Sequence, residues 1–220
     1  MAVLEGLAAH AQGKDAQREA DRAAAVEWAR TVIETGRYVL LDTETTGLDG
    51  EAEVVQVAVL ALDGEVLLET LVRPTRPIPW VTTTIHGISD ADVADAPTYP
   101  AVHARLAGVL RGRTVVSYNA AYDRRLLRQT AARHGLRPPR VRWECAMLQY
   151  ARYVGEWDYR KNDYRWPRLP ALGLAGSRAH TAAGDCRATL SVLRRMAGLP
   201  ELAGLAGLAD PAGPLRALGN

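Results

Sequence analysis

The chain has 220 residues, enough for one domain of good size whose core needs no disulfide or structural metal. With 48% hydrophobic and 24% charged residues it is neither disordered nor fibrous, and no apolar run reaches the roughly 18–20 residues of a membrane-spanning helix. The net charge of +2 hides a division: residues 1–100 carry 7 Lys+Arg against 17 Asp+Glu, and residues 101–200 carry 19 against 6.

A basic second half suggests an anionic partner. All but two of the basic residues are arginine, the exceptions being Lys14 and Lys161, which a GC-rich genome explains as well as a phosphate-binding surface does. The amino terminus mixes acids, His10 and Lys14 into its apolar positions and lacks the uninterrupted apolar segment of a signal peptide. Cys145 and Cys186 show neither a disulfide framework nor metal-ligand spacing. A reduced, cytoplasmic protein is expected.

Residues 15–35 read as a helix, with Ala25, Trp28, Ala29, Val32 and Ile33 at helical spacing and Gly36 at its end. The run Tyr38-Val39-Leu40-Leu41 predicts a central strand buried on both faces. Val54–Leu62 and Glu65–Val72 flank Asp63-Gly64, the signal of a two-residue hairpin turn. Pro74, Pro77 and Pro79 predict a loop. A helix follows Pro100, then a strand at Thr114–Tyr118, a helix over Ala121–His134, a short strand opening at Val141 and a helix at Met147–Tyr153. Residues 155–175 read as irregular, and a last helix covers Gly184–Ala197. Strands in a hairpin, then strands alternating with helices, predict a mixed α/β sheet flanked by helices.

Three stretches carry chemistry. In Leu41-Asp42-Thr43-Glu44 the strand alternation puts Asp42 and Glu44 on one side. Two carboxylates that close repel unless a cation lies between them, and oxygen-only ligation suits a hard divalent ion. Alone, the pair fits an acidic strand end facing solvent equally well. Next, Asn119 ends a strand and Asp123 lies in the first turn of a helix, sharing a face with Leu126 and Leu127. A helix-start acid that favours the macrodipole, with Asn119 as a cap, explains this too. Finally, Asp185 shares the stripe of Ala188 and Val192, and an unpartnered carboxylate aimed at a core costs several kcal/mol. His180, just before that helix, has the chemistry of a proton acceptor near neutrality, or of an ordinary loop histidine.

Together, Asp42-x-Glu44, Asn119-x-x-Tyr122-Asp123 and His180-x-Ala182-x-x-Asp185 resemble the three motifs of the DEDDh superfamily of 3′–5′ exonucleases, the group of the proofreading epsilon subunit of bacterial DNA polymerase III. The resemblance covers about residues 37–198, and His86-Gly87-Ile88 followed by Ala96-Pro97-Thr98-Tyr99 matches the stretch between the first two motifs. Tyr122 stands where Phe is frequent. The resemblance implies a ribonuclease H-like exonuclease fold at 37–198, with an N-terminal helical extension at 1–36 and a C-terminal tail at 199–220. It also implies two divalent ions, Mg²⁺ or Mn²⁺, held by Asp42, Glu44, Asp123 and Asp185, with Asp42 bridging and Asp123 serving the second ion through water. His180 becomes the general base, and Thr45, Leu48, His86 and Asn119 become substrate contacts, Leu48 as a wedge against the terminal base.

The expected activity is release of nucleoside 5′-monophosphates from 3′ ends of single-stranded or frayed DNA. Alternatives are an RNA-trimming exonuclease or oligoribonuclease, a proofreading subunit docked on a DNA polymerase or repair partner, and a non-catalytic binding module. Tyr150–Arg168 interleaves aromatics with arginines, as a single-strand binding platform does; such aromatics also pack loops onto cores.

Overall fold

The computed structural model describes residues 2–169 and 181–202, with side chains from residue 15 onward. Five strands form a mixed sheet: β1 (Tyr38–Thr45), β2 (Val54–Leu60), β3 (Val66–Leu71), β4 (Thr114–Ser117) and β5 (Arg142–Cys145), in the order β3-β2-β1-β4-β5. β1 is central, antiparallel to β2 and parallel to β4, and β4 in turn runs parallel to β5. This is the mixed α/β sheet that the alternation of strand and helix patterns predicts.

Helices cover both faces. On one side lie α1 (Ala2–Glu34), α6 (Ala146–Val154) and α7 (Ala182–Ala197), whose apolar stripes enclose a core with Leu40, Ala58 and Leu60. On the other, α4 (Tyr99–Leu110) and α5 (Ala120–Arg133) pack on Val39, Leu41, Val57 and Val115. The period-two alternation of β1 thus sends Leu40 to one core and Val39 and Leu41 to the other. Two short helices, α2 (Trp80–His86) and α3 (Asp90–Val93), sit over a third, smaller core of Val55, Ile78, Ile88 and Val93.

Several expectations shift. The first helix starts at Ala2, not near residue 15, because its Ala-rich sequence holds no proline to stop it. Within the span expected as an N-terminal extension, Ala25, Ala29 and Val32 are fully buried against α6 and α7, so α1 is one wall of the core. The hairpin turn is three residues long: Ala61 donates to Glu65 O at 2.9 Å, and Gly64 donates back to Ala61 O at 3.1 Å. Gly64 has φ 93, the left-handed corner that a type I turn with a bulge requires and that glycine tolerates. The proline segment was expected as loop throughout, yet Pro79 is the N-cap of α2, where a missing N–H costs nothing. Within the stretch expected as irregular, Trp157–Asp158 (β6) and Asp163–Tyr164 (β7) pair as a small hairpin. Among the described residues, no helix is long and apolar enough to cross a membrane.

Candidate active site

The sheet itself opens the site. β1 pairs with β4 only as far as Leu40 opposite Val116, after which the strands part. Ser117 Oγ closes the gap by donating to Leu41 O at 2.6 Å, and the next residue of β1 is Asp42. The carboxyl ends of parallel strands are where such crevices form. Here the crevice is a cleft of about 260 Å³ lined by Asp42, Glu44, Asn119, Tyr122, Asp123 and Asp185, with Ile85, Tyr118 and Leu169 at its walls.

Asp42, Glu44 and Asp185 each bring a carboxylate oxygen into a group whose atoms all lie within 4.8 Å of one another. β1 supplies the first two on the face toward α7. There Thr181 caps the helix by accepting from Gly184 N at 3.1 Å, and Asp185 stands in the first turn. Gln56 of β2 anchors the same helix start by accepting from Ala182 N at 3.0 Å.

Asp123 comes from the other layer. It is 3% exposed in the first turn of α5 and accepts a hydrogen bond from Thr43 Oγ1 at 2.8 Å. It stands outside the close trio but lines the same cleft. Burial, followed by the charges of Asp123, Asp185 and Glu44, raises the Asp42 carboxyl well above its ordinary range. Burial likewise pushes Asp123 up to about 7, against hydrogen bonds from Thr43 that lower it. Four acids converging this way repel one another, and a cation among them removes the strain. The all-carboxylate donor set fits a hard divalent ion. Cys186, beside Asp185, is buried and turns its thiol to Ala58 O at 3.8 Å, and burial and the same acids push that thiol up.

The other expected contacts fall in different places. Asn119 is exposed at the cleft lip, as the N-cap residue of α5. Leu48 is 78% exposed just beyond β1. Thr45 is buried, and its hydroxyl lies 2.6 Å from that of Tyr122; both reach Gly47 O, at 2.9 and 3.1 Å. His86 is buried with both ring nitrogens engaged: Ile88 N donates to Nδ1 at 3.0 Å, and Nε2 lies 3.2 Å from Thr45 O. With Nδ1 accepting, the proton sits on Nε2, and the ring braces α2 against the end of β1. Burial lowers its pKa, in keeping with that neutral form. His180 lies outside the described residues.

Sequence reasoning passed over Ile85 and Leu169 in the cleft wall, and over Trp80 and Val81, which are exposed on α2 beside Ile85. The only signal for α2 was its adjacency to His86. In the aromatic segment, Tyr150 and Tyr164 are buried, and Tyr164 Oη donates to Asp21 at 2.7 Å; Tyr159 and Trp166 are exposed. Tyr118 Oη donates to Pro167 O at 2.8 Å and so ties this segment to the cleft.

The comparisons agree with this geometry. The exonuclease family model RNase T matches residues 39–193, from β1 into α7, and so takes in all four acids. An uncharacterized exonuclease of Escherichia phage 186 is 40% identical over 171 residues, which are 72% of this chain and 87% of the phage protein. A DNA polymerase III subunit epsilon-like protein of Rhodobacter capsulatus is 34% identical over 182 residues, 79% of this chain but 25% of that protein. Among solved structures, E. coli exonuclease I in complex with a dT13 oligonucleotide aligns with a TM-score of 0.55 at 20% identity, over 72% of this chain and 40% of that one. The sheet and its flanking helices therefore form a ribonuclease H-like exonuclease fold. Spanned by the family model from its central strand to its last helix, the chain belongs to the RNase T exonuclease family, hydrolases that shorten nucleic acids from an end.

Proposed function

We propose that this protein is a metal-dependent 3′–5′ exonuclease that releases nucleoside 5′-monophosphates from single-stranded or frayed DNA ends. The observation that carries the reading is the convergence of Asp42, Glu44 and Asp185 within 4.8 Å at the open end of β1. In this reading Asp42, Glu44 and Asp185 would hold one ion, and Asp123 with Asp42 would hold the other. Two Mg²⁺ or Mn²⁺ ions, when bound, polarise the scissile phosphate and neutralise charge on both the attacking and leaving oxygens.

The chain's own groups do the rest. His180 takes the proton of the attacking water, so that a P–O bond forms to that water as the bond to the 3′-oxygen breaks. Asn119 and the exposed Leu48 hold the terminal nucleotide at the lip, and the apolar Ile85 wall gives its base a dry surface. Thr45 and His86 act from behind by fixing the turn after β1. DNA is favoured as substrate because the Rhodobacter relative is named for a DNA polymerase subunit; a polymerase or repair complex is the partner class in keeping with that name.

The test is trimming of matched, 5′-labelled single-stranded DNA and RNA with Mg²⁺, Mn²⁺ or EDTA, alongside Asp42→Asn and His180→Ala. A metal-dependent ladder on DNA, abolished by the first change and slowed by the second, is expected. A ladder on RNA alone moves the assignment to RNA trimming. No ladder on either strand, with binding intact, overturns the enzyme reading.

A further inference from the structure

We propose that a second cleft, at the far end of the sheet from the carboxylates, grips the phosphodiester backbone of the substrate strand several nucleotides upstream of its 3′ end. The proposal rests on the exonuclease reading above. The cleft measures about 1160 Å³ and lies where the parallel strands begin, with Tyr38, Thr114 and Arg142 at its edge.

Its lining holds seven arginines and no acid. Arg37 leads into β1 and Arg113 into β4, while Arg137 and Arg140 precede β5 and Arg142 opens it. Arg124 and Arg128 come from α5, one helical turn apart. Six of the seven are exposed, Arg113 being half-buried. Among the described residues, no carboxylate lies within ion-pair distance of any of them. Glu144, nearby on β5, is engaged by Trp28 Nε1 and by the Tyr38 hydroxyl. Arginines on an ordinary surface are interspersed with acids; a concave, single-sign group focuses the field on an anion. Guanidinium forks match phosphate oxygens two at a time, and half-buried Trp143 adds a face on which a base can stack.

The path to the active site is short. Arg124 follows Asp123 directly in α5, so the helix carries a basic line from the acidic cleft to the arginine cleft. From Tyr38 to Asp42 and Glu44 the strand rises about 13–20 Å at roughly 3.3 Å per residue. At about 3.4 Å of rise per nucleotide in a helical strand, that is about four to six nucleotides.

The test compares the wild-type protein with a triple variant, Arg128→Gln, Arg137→Gln and Arg140→Gln, and with the matching Lys triple. Affinity for a fluorescent oligo-dT of about twenty nucleotides is read by anisotropy in EDTA across a salt series, and the log–log salt slope is expected to fall by about 2 on losing three phosphate contacts. The Gln triple should bind about tenfold more weakly or worse, and the Lys triple should keep most of the affinity. With Mn²⁺, hydrolysis of the p-nitrophenyl ester of thymidine 5′-monophosphate, too small to reach the cleft, should stay within about twofold of wild type. Unchanged oligonucleotide affinity and slope overturn the proposal, as does ester hydrolysis that falls in step with affinity. Loss seen only with a complementary strand annealed upstream overturns the assignment to the substrate strand. Wild-type protein that hydrolyses neither ester nor oligonucleotide refutes the exonuclease reading instead, while binding in EDTA still reports on the cleft.

Discussion

Thr43 Oγ1 donates a 2.8 Å hydrogen bond to Asp123 Oδ1, joining residues 80 apart in the sequence. Thr43 sits between Asp42 and Glu44 on β1, so the strand's alternation turns it toward α5 while its neighbours turn toward α7. Thr45 repeats the arrangement two residues on, meeting the Tyr122 hydroxyl at 2.6 Å. One strand thus presents two acids on one face and, on the other, two hydroxyls that position the residues of the second motif. The cleft is assembled from both layers of the fold by the pleat of a single strand.

Thr43→Val keeps the shape of the side chain and removes one of the groups that hydrogen-bond the buried Asp123 carboxyl. That carboxyl, already raised by burial and lowered partly by Thr43, should rise further. Loss of a hydrogen bond to a charged group is worth about 1.5–3 kcal/mol, or about one to two pH units. The Mn²⁺ concentration for half-maximal activity should therefore increase about tenfold at neutral pH, with the gap to wild type closing as pH rises. A gap that is constant across pH refutes the role given to this bond.

The raised carboxyls make the metal-free protein less stable at high pH. Asp42 and Asp123 have folded pKa values above the ordinary 3.8, Asp123 at about 7. Below 3.8 both are protonated folded or unfolded and neither costs anything. As pH climbs from 3.8 toward the folded values the unfolded chain has released protons that the folded one still holds, and stability is lost across that range. His86 and His103, lowered from 6.5, add stability as pH rises through their own range, so the acids are read as the difference between wild type and a variant lacking one of them. In EDTA the Tm advantage of Asp42→Asn over wild type should widen as pH rises from about 4 to about 7, and Mn²⁺ should restore more of the wild-type Tm at the upper end. Asp42→Asn should raise the EDTA Tm, about 2–4 °C for each kcal/mol recovered. The same change should cost about a hundredfold or more in activity. An unchanged or lowered Tm would mean that the acids are not in conflict.

Much of this was legible in the residues. The continuous apolar run before Asp42 placed the central strand, and the stripe of Ala188, Val192 and Met196 placed α7, because burial imposes period on sequence. Asp123 and Asp185 were visible as acids aimed inward, and Asp42 and Glu44 as a pair on one side of a strand end. The family resemblance set Asp123 apart from the other three acids, while the spacing of the residues alone did not, since that depends on how far the α5 layer stands from the α7 layer. Nor did it show that His86 spends both nitrogens on backbone groups, because a histidine's partners are set by tertiary contacts. The arginine cleft was equally hidden: its cations come from three strand beginnings and one helix, scattered between residues 37 and 142. The turn at Gly64 was misread by one residue because Asp-Gly serves both two- and three-residue loops.

His86→Ala tests the brace. The change strands Thr45 O and Ile88 N in a buried place, at about 2–4 kcal/mol for the pair. The Tm should drop accordingly, while the pH profile of kcat keeps its shape, since the ring in this structure faces neither the cleft acids nor solvent. A new or missing limb in the profile would instead place the imidazole in the chemistry.

Tyr122→Phe restores the residue frequent at this position in the family's second motif and removes the hydroxyl that meets Thr45 and Gly47. Thr45 keeps its own bond to Gly47 O, so the stability cost should be small, about 0.5–1.5 kcal/mol. Gly47 O, beside Leu48, loses one of its two side-chain donors, which should appear as a higher KM with kcat nearly unchanged. A fall in kcat alone would mean that the hydroxyl touches the reacting groups.

Leu48 itself separates a stacking role from a structural one. At 78% exposure it contributes little to the core, and Leu48→Ala should leave the Tm within the range of ordinary surface changes, about 0.5 kcal/mol. A leucine buried against the terminal base contributes about 1.5–3 kcal/mol, so end-trimming at low substrate should fall about tenfold to a hundredfold. Leu48→Met, which keeps the apolar reach, should recover most of it. If the alanine variant trims at the wild-type rate, the terminal base rests elsewhere, and the exposed Trp80–Ile85 face of α2 becomes the surface to substitute next.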